Sequence, residues 1–97
     1  MAPDVIRYVL PYSEAFDEPY LLKIAYSWGD EESDTSYRTF EDAWREACRL
    51  AAADAEISSV ENDSAITLKY DRKNGRIVVN YVYDGESCHY DIVNTAA

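Results

Sequence analysis

The chain has 97 residues, with nine Lys and Arg against nineteen Asp and Glu, and its net charge is −10. Its length is that of one domain, and a hydrophobic content of 47% is sufficient for a core. The excess negative charge disfavours direct binding to nucleic acid or anionic lipid, because both carry negative phosphates. The start of the chain lacks the basic residues and apolar run of a signal peptide, and no apolar run is long enough to span a membrane, so we expect a cytoplasmic protein.

The N-terminal third is predicted to form two strands and a loop. Residues 4–10 are rich in β-branched and aromatic types, which is typical of a strand. Residues 20–28 alternate in hydrophobicity, and the side predicted to face the core carries Leu22, Ile24, Tyr26 and Trp28. Gly29 ends this second strand, and the acidic residues 30–34 are predicted to form a solvent-exposed loop.

A single amphipathic helix is predicted to follow. Thr39 and Asp42 form a variant of the capping box, in which the threonine oxygen accepts an early backbone N–H, so the helix begins near Phe40. Apolar residues then recur at spacings of three and four, at Phe40, Ala43, Trp44, Ala47, Leu50 and Ala51. Because residues 57–60 lose this period, the helix is expected to end near Ala55.

Two dipeptides in the C-terminal part, Asn74-Gly75 and Asp84-Gly85, are typical of two-residue hairpin loops of type I′ because they tolerate positive φ. The first loop would place Leu68 opposite Tyr81, and the second would place Tyr81 opposite Cys88. Both registers collect the same apolar set on one face of a three-stranded meander, namely Ile66, Leu68, Tyr70, Ile77, Val79, Tyr81, Tyr83, Cys88, Tyr90 and Ile92.

The predicted order of elements is ββαβββ. A lone amphipathic helix can bury its apolar stripe only against the apolar face of the sheet. We therefore predict an α+β fold, a two-layer sandwich in which one helix packs on a mainly antiparallel five-stranded sheet. Residues 1–97 are expected to form a single globular domain.

No residue pattern predicts a catalytic or metal site. Two cysteines and one histidine are too few for the common zinc sites, so no metal or other cofactor is expected, and Cys48 and Cys88 are interpreted as packing thiols. His89 and Asp91 share the polar face of the sheet and are the only group that resembles an acid–base pair. Apart from Ser87, no nucleophile is predicted beside them, so we expect a protein without enzymatic activity.

Eight of the nine tyrosines divide into two groups by position. The core of the sheet is predicted to take the tyrosines of the meander, which are Tyr70, Tyr81, Tyr83 and Tyr90. Loops and strand ends hold Tyr8, Tyr12, Tyr20 and Tyr37. At such places an aromatic ring with a solvated hydroxyl group suits a protein interface.

Negative charge is concentrated in three segments. Residues 14–34 carry seven acids and one lysine, residues 53–68 carry four acids and no base, and residues 77–97 carry three acids and no base. Four bases and one acid lie in residues 69–76. An acidic surface has two interpretations, solubility alone or occupation of a basic nucleic-acid channel in a partner protein, which electrostatic steering would accelerate.

In size, acidity and compact α+β content, the chain resembles small phage-encoded inhibitors, the anti-CRISPR proteins and other DNA mimics, and also acidic antitoxin and immunity proteins. The resemblance covers the whole chain as a type, without a shared motif, and carries no individual residue over. It implies an inhibitor that binds a basic partner such as a nuclease or a CRISPR effector. The bases at residues 69–76 depart from a uniformly acidic mimic and leave open a second contact or a self-association surface.

The leading hypothesis is therefore a non-enzymatic inhibitor that binds a basic, nucleic-acid-binding protein and blocks its nucleic-acid site. The residues assigned to partner binding are Asp30, Glu31, Glu32, Asp34, Glu14, Asp17, Glu18 and Tyr37. One alternative is a small enzyme or ligand-binding domain that uses His89 and the exposed tyrosines. Another is a structural homo-oligomer, such as a homodimer, joined through an exposed sheet edge. Neither membrane binding nor direct nucleic-acid binding is expected.

Overall fold

The computed structural model describes residues 18–63, 65–82 and 84–95. In these residues one helix and five strands follow one another in the order β1 (Tyr20–Tyr26), β2 (Thr35–Tyr37), α1 (Phe40–Asn62), β3 (Ile66–Asp71), β4 (Arg76–Tyr81) and β5 (Glu86–Asn94). The strand predicted at residues 4–10 lies outside the described residues, together with Tyr8, Tyr12, Glu14, Asp17 and Tyr83. Within the described residues, no helix is both long enough and apolar enough to cross a membrane.

All five strands pair in antiparallel fashion, in the spatial order β2-β1-β5-β4-β3. β1 lies beside β5, from Tyr20 opposite Asn94 to Tyr26 opposite Cys88, which joins the N-terminal hairpin to the C-terminal meander. The helix α1 packs against one face of this sheet. The predicted α+β sandwich and the order ββαβββ are therefore confirmed.

The second strand in the observed order, β2, was not predicted from the sequence. β2 has only three residues, too few to show the period of a strand in the sequence, and it pairs with the start of β1. The acidic residues 30–34 connect the two strands and are all exposed, as predicted for a loop. An isolated bridge between Ala25 and Glu31 holds this loop beside the end of β1.

The helix α1 begins as predicted, at Phe40. The backbone N–H of Asp42 donates to Thr39 Oγ1 over 3.1 Å, which satisfies one of the amide groups that the first turn leaves open. The row that faces the sheet consists of buried alanines four residues apart, Ala43, Ala47, Ala51 and Ala55. Since the contact distance depends on the side chains between helix and sheet, these small residues let the two layers approach closely.

The end of the helix near Ala55 was predicted wrongly, because α1 continues to Asn62. In the additional turns the apolar residues do not continue the period of the buried face. Ile57 and Val60 are accordingly exposed, at 57% and 78%. The helix propagates through them because each further residue adds a backbone hydrogen bond, and no Pro or Gly interrupts it. It ends at Asp63, which adopts a left-handed conformation with φ 47°.

The first hairpin of the meander has a four-residue loop and not the predicted two-residue turn. Asp71 pairs with Arg76, so Leu68 lies opposite Val79 and not opposite Tyr81. The error is a shift of two residues. Because side chains alternate along a strand, such a shift leaves each of them on the predicted face.

The second hairpin differs from the prediction in the same way. Tyr81 pairs with Glu86 and not with Cys88, which lies opposite Val79. A type I′ turn requires positive φ at both central residues, yet among the described non-glycine residues only Asp63 has it. Among the described residues of the two loops, the left-handed ones are the glycines that precede the next strand, with φ 66° at Gly75 and 76° at Gly85.

The core lies between the alanine row of α1 and the predicted apolar face of the sheet. Its largest fully buried side chains are Leu22, Ile77, Val79 and Cys88. Tyr81 and Tyr90 are buried as predicted, whereas Tyr70 on the edge strand β3 is 52% exposed. Cys48 and Cys88 are free thiols, in agreement with their interpretation as packing residues.

Candidate functional site

A groove lies between the second half of α1 and the loop that joins β1 to β2. It consists of two adjoining cavities of about 510 and 490 Å³, which share Tyr26, Glu32 and Asp54. We call it the acidic groove. The β4–β5 loop reaches its rim with Asp84, because that loop and the end of β1 lie at the same end of the sheet.

Three segments that are distant in the sequence supply the carboxylates of the acidic groove. The β1–β2 loop contributes three acids, α1 contributes one and the β4–β5 loop contributes one, which are Asp30, Glu31, Glu32, Asp54 and Asp84. No ion pair within residues 18–63, 65–82 and 84–95 involves any of these five carboxylates. The groove therefore holds a cluster of negative charge that the described part of the chain does not neutralise.

Aromatic rings line the same end of the groove. Trp28 stacks on Tyr26 with 4.7 Å between ring centroids and 25° between planes, and its centroid lies 6.1 Å from that of Tyr81. The prediction that Trp28 faces the core is wrong, because β1 ends at Tyr26 and the following turn carries Trp28 out of the sheet. Its side chain is 51% exposed and offers an apolar surface beside the carboxylates.

The polar atoms of these rings hold the carboxylates in position. Trp28 Nε1 donates to Asp30 Oδ2 over 2.6 Å, and the Tyr26 hydroxyl donates to Glu32 Oε1 over 3.2 Å. The Tyr81 hydroxyl donates to Asp54 Oδ2. A carboxylate has two oxygens and about four lone-pair positions, so one such bond orients it and leaves capacity for further donors.

Burial keeps the tyrosine donors of the groove protonated. Burial, the neighbouring Cys88 and the hydrogen bond to Glu32 raise the pKa of Tyr26 from 10.0 to about 12. Burial and the hydrogen bond to Asp54 also raise the pKa of Tyr81. Both hydroxyl groups therefore remain protonated donors well above the neutral range.

The raised tyrosine pKa values predict a loss of stability at alkaline pH. The unfolded chain ionises its phenols near 10.0, whereas Tyr26 in the folded protein ionises near 12, so the folded state binds more protons in this interval. The contribution of Tyr26 to the free energy of unfolding should be fully present below pH 10 and should be lost as the pH rises through this window. Urea unfolding at stepped pH, followed with tyrosinate absorbance, measures this slope. The Tyr26→Phe variant should have a shallower slope, and a slope equal to that of the parent would contradict the assignment.

Of the eight residues assigned to partner binding, the groove contains Asp30, Glu31 and Glu32. Asp34 does not lie with them, because it forms an ion pair with Lys23 over 3.0 Å. Side chains alternate along β1, so Lys23 points to the sheet face opposite the core, and Asp34 follows it. The acidic loop is thus divided between the two faces of the sheet.

Glu18 and Tyr37 are not among the residues that line the groove. Glu18 accepts a hydrogen bond from Ser36 near the start of β1, and Tyr37 lies opposite Tyr20 at that same end. The groove lies towards the other end of β1, where Ile24 and Tyr26 line it, about 13 to 20 Å from Tyr20 along the strand. Glu14 and Asp17 lie outside the described residues.

Sequence reasoning missed the residues that give the groove its shape, Tyr26, Trp28, Asp54, Tyr81 and Asp84. One signal was available for Asp54, because the helical period places it directly beside the alanine row, at the edge of the apolar face. An acid at such a position needs a polar partner from the sheet, and the Tyr81 hydroxyl is that partner. No comparable signal places Asp84 beside Trp28, since their proximity depends on the pairing of β1, β5 and β4.

The candidate acid–base pair of the sequence lies on the opposite face of the sheet. His89 and Asp91 line a small cavity of about 260 Å³ beside Ala25 and Ser27. The carboxylate of Asp91 is engaged by Arg76, whose Nε lies 2.6 Å from Asp91 Oδ1. The acid of this pair is therefore held by a guanidinium group.

Within the described residues, no three His, Cys, Asp or Glu side chains are grouped so that they could hold a metal ion. Comparison of the chain with protein-family models, with curated proteins and with solved structures finds no match. The chemistry of the site is therefore that of the acidic groove itself, in which carboxylates and aromatic faces both attract cations.

Proposed function

We propose that this protein is a non-enzymatic inhibitor that binds a basic, nucleic-acid-binding protein and blocks its nucleic-acid site. The observation that carries the proposal is the convergence of five carboxylates in the acidic groove without a cationic partner among the described residues. Carboxylates placed together repel one another, and a cationic surface relieves this repulsion. The same charges would attract a basic channel and repel a true nucleic acid.

The distribution of bases supports binding of the partner at the acidic groove. The β3–β4 loop, with Arg72 and Lys73, lies at the end of the sheet opposite the acidic groove, because β4 runs from one loop to the other. Arg72 pairs with Glu41 and its guanidinium carbon lies 5.4 Å from the ring centroid of Phe40, so it also holds its loop onto the start of α1. A molecule with an acidic and a basic end aligns in the field of a cationic partner with its acidic end first.

The test compares two variants that remove the same charge from different places. The groove variant carries Asp30→Asn, Glu31→Gln and Glu32→Gln. The control variant carries Glu56→Gln, Glu61→Gln and Asp63→Asn, on exposed positions at the end of α1 outside the groove. Asp34 is left unchanged in both because Lys23 already neutralises it.

Each variant is added to a panel of purified basic nucleases and CRISPR effector complexes, and both nucleic-acid binding and association rates are measured. The parent protein should inhibit nucleic-acid binding by at least one of them. The groove variant should associate about tenfold more slowly at low salt, the control variant should lose much less, and high salt should remove the difference. Absence of inhibition across the panel, or equal effects of the two variants, would contradict the proposal.

A further inference from the structure

The acidic groove combines charge with exposed apolar surface. Trp28 at one end is 51% exposed and Ile57 at the other end is 57% exposed. Between them lie Glu32 and Asp54, which belong to both cavities. An aromatic ring and an aliphatic side chain that remain open on either side of carboxylates form a surface for a ligand that is itself part apolar and part cationic.

We infer that the acidic groove is the docking site for an arginine side chain of a partner protein. Its guanidinium group would lie against Trp28 and donate to the carboxylates, and its aliphatic stem would lie along the groove towards Ile57. The inference deepens the proposed function and rests on it for the identity of the partner as a basic protein.

The chemistry of the groove favours arginine over other occupants. A guanidinium group is planar, so it stacks on an aromatic face, and its N–H groups form a fork that matches a carboxylate. A lysine ammonium group supplies the charge without the flat face or the fork. A neutral apolar ligand would take Glu32 and Asp54 out of water without giving them a partner, which is unfavourable.

The geometry of Trp28 suits this arrangement. Tyr26 stacks against the indole ring, and half of the side chain remains exposed. Asp30 accepts the indole N–H over 2.6 Å, so its carboxylate lies in contact with the edge of the ring. A cation over the ring would therefore meet an aromatic face and a carboxylate together, and each of these interactions is stronger where water is partly excluded.

The described part of the chain does not provide this arginine itself. Its arginine ion pairs join Arg45, Arg49, Arg72 and Arg76 to carboxylates outside the groove. A second copy of this chain is a poor source, because two molecules with a net charge of −10 repel each other. The complementary charge is that of a basic protein.

The experiment uses three blocked tripeptides, Gly-Arg-Gly, Gly-Lys-Gly and the same peptide with citrulline, which keeps the shape of arginine without its charge. Binding to the full chain is followed by NMR on the indole N–H of Trp28. The arginine peptide should shift this resonance in a saturable way. The citrulline peptide should bind at least about tenfold more weakly, and the lysine peptide should bind measurably more weakly than the arginine peptide.

Two variants at residues of similar exposure are compared, one in the groove and one outside it as the control. Trp28→Ala should reduce arginine-peptide binding about tenfold or more, read on the backbone amide of Glu32, while Tyr70→Ala should leave it unchanged. Tyr70 is 52% exposed and lies on β3, outside the groove. Equal binding of arginine and citrulline peptides, equal binding of arginine and lysine peptides, or an insensitive Trp28→Ala variant would each overturn the inference.

These outcomes separate the inference from the proposed function. If the arginine peptide binds the groove and no nucleic-acid-binding protein of the panel is inhibited, the proposed function fails and the arginine site stands. If a partner is inhibited equally by the parent and by Trp28→Ala, the function stands and the arginine site fails. Self-association that the arginine peptide abolishes would also overturn the inference, because the occupant would be a second copy.

Discussion

Replacement of Ile77 by alanine is expected to destabilise the protein by about 2 to 5 kcal/mol, the range for a buried aliphatic side chain that leaves a cavity. Ile77 is fully buried on β4 and faces the alanine row of α1. The alanines have no larger rotamer with which to fill the space, so the cavity should persist. Urea unfolding followed by circular dichroism measures the change as a lower midpoint with an unaltered slope.

The matched control is Ile57→Ala, which removes the same atoms from a position that is 57% exposed. We expect a change of at most about 0.5 kcal/mol, because alanine also has the higher helix propensity. A loss at Ile57 as large as that at Ile77 would show that the last turns of α1 are packed in solution. A small loss at Ile77 would show that the layers close over the missing atoms.

The second large effect is expected at Gly75. Its φ of 66° is left-handed, and an added Cβ would lie 3.2 Å from the carbonyl oxygen of Ile92 and 3.3 Å from the ring of Phe40. Gly75→Ala should therefore combine a backbone cost of about 1 to 2 kcal/mol with an overpacking cost of about 1 to 3 kcal/mol. The loop cannot simply move away, because the Gly75 carbonyl accepts the backbone N–H of Ile92 over 2.8 Å.

Gly85 separates the two costs. It has nearly the same conformation, with φ 76°, but an added Cβ would meet no atom within 4 Å. Gly85→Ala should lose only the backbone cost of about 1 to 2 kcal/mol. The difference in unfolding free energy between the two variants then measures the close approach at Gly75, and equal losses would contradict that approach.

Local chemistry explains why the helix start and the faces of the strands could be predicted. Thr39 and Asp42 lie within one turn, and the alternation in β1 and β4 needs no knowledge of their partners. The strand partners depended on the loop type, and Asn74 and Asp84 were compatible with a two-residue loop that does not form. The end of α1 was missed because an exposed helical segment has no apolar period.

The candidate site was less predictable than the fold. Charge density identified the loop that contains Glu31 and Glu32, since a run of acids is visible in the sequence itself. Its meeting with Asp54 and Asp84 depends on strand pairings between residues far apart in the chain, and no local pattern encodes them. The ion pair that removes Asp34 from the group has the same long-range origin.

The alanine row of α1 has a consequence for how the two layers are aligned. A row of identical residues repeats itself when the helix slides by four residues, about 6 Å, so it supplies cohesion without distinguishing one alignment from the next. Alignment must come from unlike contacts beside the row: the ring of Trp44 against Tyr70 in the first half of the helix, and Asp54 with the Tyr81 hydroxyl in the second half. The alignment of the helix on the sheet is therefore set by the side chains that flank the alanine row and not by the row itself.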